Sequence, residues 1–184
     1  MKKIVTLCAS AIAFAAFATP ASAAAPNGGR IEAIVGYDNV SFDLGAGVDA
    51  DTSGVTYGVG AGYDFAVSPS VAIGIDLEAA DSTADFEAGT DRVAAGRDLY
   101  AGLRLTTAVS DKANLYFKAG YTNARLKVET AGLTDAANGD GVRAGVGVQL
   151  AVSENAYIGG EYRYSNYEAD ITRHQGVLTI GFRM

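Results

Sequence analysis

His174 is the only histidine, and Ser165 lies a short way before it. A histidine that takes the proton of a serine hydroxyl is the working pair of acyl-transfer chemistry. Such a pair at the rim of a barrel would suit a lipid-modifying enzyme. No nucleophile motif surrounds Ser165, and a rim histidine in water accounts for His174 equally well, so no catalytic residue is assigned. A second stretch, "GVGAGYD" (Gly58–Asp64), superficially offers a glycine-rich phosphate cradle. A cradle needs its glycines to open a helix. Here they recur at every second residue and no helical period follows, so no cofactor site is assigned.

A third group is carboxylate: Asp43, Asp49, Asp51, Asp81, Asp85, Glu87, Asp91, Glu129, Asp135, Asp140, Glu168 and Asp170. Oxygen donors of this kind bind calcium or magnesium when correctly spaced. The spacing matches no calcium loop. A solvated acidic surface is expected, with no metal ligands. The sequence "NVS" at Asn39–Ser41 fits a glycosylation pattern and is treated as chance.

The remaining charged residues have a different pattern. In "LAVSENAYIGGEYRY" (Leu150–Tyr164) apolar residues stand at alternate positions, and Glu161 and Arg163 fall between them. "FAVSPSVAIGIDLEA" (Phe65–Ala79) and "LTTAVSDKANLYFKAGY" (Leu105–Tyr121) repeat the form: Ala-Val-Ser, a tight turn, then alternation. Period-two alternation marks strands. The strand runs are about 30–39, 54–67, 71–80, 93–107, 114–128, 141–152, 156–167 and 174–184. Tight turns at Ser68–Ser70, Ser110–Lys112 and Ser153–Asn155 alternate with longer connections at Val40–Ser53, Asp81–Arg92, Glu129–Asp140 and Glu168–Arg173.

These eight runs predict an all-β fold: an eight-stranded antiparallel up-and-down transmembrane β-barrel. Strands of about ten residues suffice to cross a bilayer when tilted. A soluble barrel has no use for glycines on its wet face. In a membrane barrel the apolar face meets lipid, and the glycines and charges share a narrow lumen. The lumen set is Glu32, Asp76, Glu78, Asp98, Arg104, Lys118, Glu161 and Arg163. Arg143 and Arg183 share the parity but could equally be solvated at the rims. Buried charges need partners, so a paired network that plugs the barrel is expected.

Residues 1–23 are read as a signal peptide: Lys2 and Lys3, an uncharged apolar run, Pro20, and small residues at Ala21 and Ala23 before the cut. Cleavage after Ala25 is the second choice. Cys8 sits too early in the run for a lipoprotein signal, so the mature chain has no cysteine. Residues 24–29 are a short lead-in and 30–184 the barrel. Losing the two lysines moves the formal charge from -7 to -9. That acidity argues against nucleic acid, and against anionic headgroups as direct partners.

The signal segment, the strand "VSDKANLYFKAGYTNA" (Val109–Ala124) and the ending "LTIGFRM" resemble the small eight-stranded outer-membrane β-barrels, of the OmpA/OmpX-like and opacity-type porin family. The resemblance spans the mature chain. It implies an integral protein of the bacterial outer membrane with both termini in the periplasm. It carries a C-terminal assembly signal onto Leu178, Ile180, Phe182 and Met184, although the usual terminal aromatic is replaced by Met184. The partners implied are outer-membrane lipid and lipopolysaccharide, the barrel-assembly machinery, and a ligand of the loops outside the cell. The expected function is structural or adhesive, in membrane integrity or surface contact, without enzymatic activity. A narrow pore for small solutes is the alternative, and a lipid-modifying enzyme around His174 the third reading.

Overall fold

The computed structural model describes residues 24–43, 49–88, 91–130, 133–168 and 171–184. The segment read as a signal peptide, with Ala21 and Ala23, lies outside them, as does Asp170. The strands are β1 (Gly28–Asp43), β2 (Asp49–Ala66), β3 (Val71–Ser82), β4 (Asp85–Ala88), β5 (Asp91–Ser110), β6 (Ala113–Thr130), β7 (Leu133–Ala151), β8 (Ala156–Tyr167) and β9 (Ile171–Arg183). From β1 to β3 and from β4 to β9 consecutive strands pair antiparallel, β1 also pairs with β9, and β3 pairs with β5. The sheet therefore closes on itself. β4 continues the wall begun by β3 and pairs β5 above it, so the barrel has eight walls. The wall pauses where Thr83 donates its N–H to the Val55 carbonyl at 3.0 Å and its hydroxyl accepts from Val55 at 2.9 Å.

The repeated Ala-Val-Ser has a local cause. The Ser68 hydroxyl accepts the Val71 N–H at 3.1 Å, and the Ser153 hydroxyl accepts that of Ala156 at 3.0 Å. Val67 and Val152 meanwhile donate to the carbonyls of Val71 and Ala156 at 2.9 Å each. Serine thus supplies an acceptor that a tight reversal would otherwise lack.

The structure extends the strands well past the expected ends. Phe42 pairs with both Ala50 and Ile171, and Glu129 pairs with both Arg92 and Thr134. Much of each long connection read from the sequence is therefore strand. The lead-in is also tied down: Ala25 donates to the Pro69 carbonyl at 2.7 Å, and β1 begins at Gly28 rather than Arg30.

The two faces differ as the alternation requires. Ile31, Val35, Val59, Leu77, Leu103, Val142, Leu178 and Ile180 face outward and are about half or more exposed. Covering such a side chain with hydrocarbon instead of water is worth roughly 1.5–3 kcal/mol. The interior instead holds the charged residues, closed by Ala72 and Ala108 at the turn end and by Val40, Ala84, Ala124 and Tyr167 at the loop end. Tyr37, Tyr57, Tyr121 and Tyr164 stand outward toward the loop end, where an amphipathic ring suits a water boundary.

Candidate functional site in the lumen

The inward positions of the eight walls bring seven cations and seven carboxylates together: Arg30, Arg104, Lys118, Arg143, Arg163, Arg173 and Arg183 against Glu32, Asp38, Asp64, Asp76, Glu78, Asp98 and Glu161. All but Arg183 are nearly free of solvent; its side chain is 17% exposed at the turn-end rim. The set is formally neutral, which is the arrangement a low-dielectric interior tolerates.

Three tiers follow the axis. At the turn end Arg30 donates to Asp64 at 2.5 Å and to Asp76 at 2.7 Å, while Arg183 donates to Asp64 at 2.7 Å and to Gln149 at 3.1 Å. Glu32 accepts from Tyr157 at 2.7 Å, Gln149 at 3.2 Å and Arg104 at 3.3 Å. In the middle Lys118 binds Glu78, and lies 2.9 Å from Glu161 and 3.7 Å from Asp76. Arg163 donates to Glu161 at 2.6 Å and to Glu78 at 2.9 Å. At the loop end Asp98 accepts from Arg143, from Thr122 at 2.6 Å and from Arg173 at 2.8 Å. Arg173 also donates to Asp38 at 2.7 Å. Arg143, 3.6 Å from Glu78, joins the outer tier to the middle one.

Small residues create the room. A Cβ on Gly147 would meet the Tyr116 ring at 2.5 Å, and one on Gly145 would meet the Glu161 carboxylate at 2.8 Å. Among the described residues a small cavity of about 20 Å³ lies at the loop end, bordered by Val40, Ala124, Tyr167 and Arg173. That is room for about one water.

The eight residues assigned to the lumen from sequence all lie there, and Arg143 is buried with them. Arg30, Asp38, Asp64 and Arg173 were not assigned. Arg30 and Asp38 share the parity of Glu32, and Asp64 follows Gly58, Gly60 and Gly62 on the inward face of β2. Arg173 was read as loop, and the structure places it on β9.

The wall separates the other candidate pair. Ser165 is buried and its hydroxyl accepts from Arg143 at 2.9 Å. His174 pairs with Tyr164 across the ladder, on the outward parity, and shares a 2.6 Å hydrogen bond with the Tyr162 hydroxyl. The two residues lie on opposite sides of one sheet and do not form a nucleophile–base pair. Gly58–Asp64 is continuous β2 strand, with no helix after it. Among the described residues no group of three or more histidine or carboxylate side chains is placed to hold a metal ion.

Residues 9–183 match the family model described as outer membrane protein beta-barrel domain. The chain belongs to that family. It is an integral protein of the outer membrane, and the apolar outer wall is its lipid face. Solved structures agree on the fold. Neisserial surface protein A is 15% identical, with 85% of this chain and 97% of that one covered and a TM-score of 0.65. Ail, the attachment invasion locus protein of Yersinia pestis, solved with the heparin analogue sucrose octasulfate, is 16% identical, covering 85% and 99% with a TM-score of 0.59. The N-terminal barrel of Pseudomonas aeruginosa OprF is 13% identical, covering 86% and 99% at 0.50. No curated protein matches the chain in sequence.

Proposed function

We propose that the barrel is a closed anchor and that its loop end works outside the cell as a contact surface. The carrying observation is how charge is distributed. Among the described residues the lumen charges balance in number and each has an opposite charge within 4.0 Å, an arrangement that favours a plug over a path for ions. Apart from the fourteen lumen residues, positions 24–184 hold fourteen acidic and five basic residues, and in the sequence twelve of these acidic residues fall in the four long connections, against one of the basic ones, Arg92. The surplus negative charge thus sits where a partner would meet the protein. Such a rim favours a partner with a cationic surface through complementary steering. It suits a polysulfated glycan poorly, which sets this protein apart from the complex described for Ail.

Export through a signal peptide cut after Ala23 would deliver the chain to the periplasm, and an even number of walls would leave both termini there. Leu178, Ile180, Phe182 and Met184 all project outward from the closing strand. That is where an assembly factor could read them before the seam with β1 forms.

Two measurements test the reading. Planar-bilayer recordings of the refolded protein should be silent; steady unitary openings would favour the pore. Cysteines placed at Asp51 and at Glu154 should differ in intact cells. Only the Asp51→Cys variant should react with an impermeant maleimide, and the reverse pattern would overturn the orientation.

A further inference from the structure

The lead-in before β1 reads Ala-Pro-Asn-Gly-Gly over Ala25–Gly29. Proline has no N–H to give to a ladder, and pairing with β2 stops at Gly28, opposite Asp64. The Asn27 side chain then supplies an acceptor in place of backbone, taking the Ala66 N–H at 3.3 Å. Gly28 has a φ of 109°, a conformation glycine adopts without steric cost, and a Cβ there would run into the Met184 carbonyl. From this bend the chain reaches the β2–β3 turn, where Ala25 donates to the Pro69 carbonyl at 2.7 Å. Ala108 holds the same turn from its other side, donating to the Ser70 carbonyl at 2.8 Å.

Burial at this end of the barrel is lopsided. Pro26, on the parity of Gly28 and Arg30, is buried, whereas Ala24 and Asn27 are exposed. On the walls that the lead-in adjoins, Ala72 is 0% exposed, and Arg30, Asp64 and Thr106 are 1% exposed each. Arg183 stands opposite Arg30 on β9, away from the lead-in's course, and its side chain is 17% exposed. The turn end is thus driest where the lead-in passes.

We propose that Ala24–Asn27 is a strap that seals the turn-end mouth of the lumen over Arg30, Asp64 and Thr106, with Pro26 as its stopper. Shut, it keeps water from the ion pairs that Arg30 makes with Asp64 and Asp76, which weaken once solvent screens them. Two hydrogen bonds hold the strap, and Gly28–Gly29 is its hinge. The strap also decides where the signal segment must be cut. A cut after Ala25 would delete the N–H that reaches Pro69 and leave a charged terminus on buried Pro26, so the strap needs the cut after Ala23. This seal rests on the closed-anchor reading, to which it adds a second barrier beside the lumen ion pairs.

Residues 24–184 contain no cysteine, so a single thiol can report on the mouth. Thr106→Cys is placed under the strap in the chain 24–184, refolded into detergent micelles where both ends meet solvent. Its reaction with a small charged methanethiosulfonate is timed. With the strap intact the thiol should be protected. Ala25→Pro removes the donor to Pro69, and Asn27→Ala removes the acceptor for Ala66. Each should speed labelling about fivefold, the scale of one net hydrogen bond, and the two together about twentyfold. Ala84→Cys, buried at the loop end, should label no faster in the double variant. Equal rates at Thr106→Cys with and without the two changes overturn the strap. So does equal acceleration at Ala84→Cys, the sign of general loosening. Ala72→Cys on β3 replaces Thr106→Cys, and is read the same way, where the latter gives no heat-modifiable folded band. Protein exported by cells should begin at Ala24 by mass, and a mature chain beginning at Pro26 also overturns the strap. Steady openings in planar bilayers with Thr106→Cys still protected would remove the ionic plug and still support the strap; a reactive thiol in an electrically silent protein with its strap intact would do the reverse.

Discussion

The Arg104 guanidinium lies 3.5 Å from the centre of the Tyr116 ring, and the hydroxyl of the same tyrosine donates to Glu161 at 2.7 Å. One side chain therefore touches a cation through its face and an anion through its tip. It links the turn-end tier, where Arg104 meets Glu32, to the middle tier. The ring has this position because Gly147 leaves space beside it.

Tyr116→Phe separates the two contacts. It keeps the ring under Arg104 and removes the donor to Glu161, so it should cost roughly 1–3 kcal/mol, the range for stranding a buried acceptor. Tyr116→Leu should cost more, because the desolvated cation–π contact, worth about 2 kcal/mol, is lost as well. Urea titration in liposomes, read by the shift between folded and unfolded gel bands, orders the variants. Equal midpoints for Phe and Leu would show that the ring face contributes nothing.

Glu78 is the junction of the middle tier, in contact with Lys118 and Arg163 and 3.6 Å from Arg143. Glu78→Ala strands buried positive charge and should destabilise by about 3–5 kcal/mol. Glu78→Leu combined with Lys118→Met removes charge of both signs, and should cost less than the two single changes summed. The same titration measures this, and strict additivity would mean that the charges act independently.

The middle of the barrel was legible in the sequence because the two sides of the wall contrast most there. Between hydrocarbon and a charged lumen, Ile75 and Asp76 cannot be exchanged, and neither can Tyr162 and Arg163. Beyond the lipid that contrast fades. Outward neighbours become Asn39, Ser41, Asn166 and Thr172, polar like much of what faces in, while Val40 and Ala84 turn inward as a small apolar cap. Alternation reverses or vanishes, so these segments resemble loops. Arg173 was lost for that reason, and with it the partner that would have marked Asp38, which stands on the parity of Glu32 and pairs with Arg173 as tightly as the residues that were found. On β5 the register jumps from Ala95 opposite Leu126 to Asp98 opposite Ala124, and this bulge was illegible for a related cause: an extra residue in one strand changes parity, and parity was the only signal available.

The seam between β1 and β9 supplies the next expectation. Met184 donates to the Gly29 carbonyl at 2.9 Å, Arg183 donates its N–H to the Asn155 carbonyl at 2.7 Å, and Phe182 pairs with Ile31. Removing residues 182–184 deletes these bonds and the Arg183–Asp64 ion pair at the rim. It should reduce the heat-modifiable folded band both in cells and after refolding into detergent. Phe182→Ala keeps the backbone bonds, so its loss should be confined to assembly in cells. A matching defect in detergent refolding would assign Phe182 to stability instead of recognition by the assembly machinery.

Glycines divide into two kinds, and the division predicts opposite outcomes for one kind of change. At Gly147 an added Cβ meets Tyr116 at 2.5 Å and the Gly160 carbonyl at 2.7 Å, whereas at Gly160 and Gly176 it meets nothing within 4 Å. Gly147→Ala forces the central tyrosine off its partners and should destabilise by about 1–3 kcal/mol, the usual cost of overpacking. Gly160→Ala and Gly176→Ala point into lipid and restrict the unfolded chain, so each should stabilise by about 0.4–1 kcal/mol. Urea midpoints of the three variants in one liposome composition decide the matter. A loss at Gly160 or Gly176 comparable to that at Gly147 would mean that these outward notches are filled by something the wall alone does not contain.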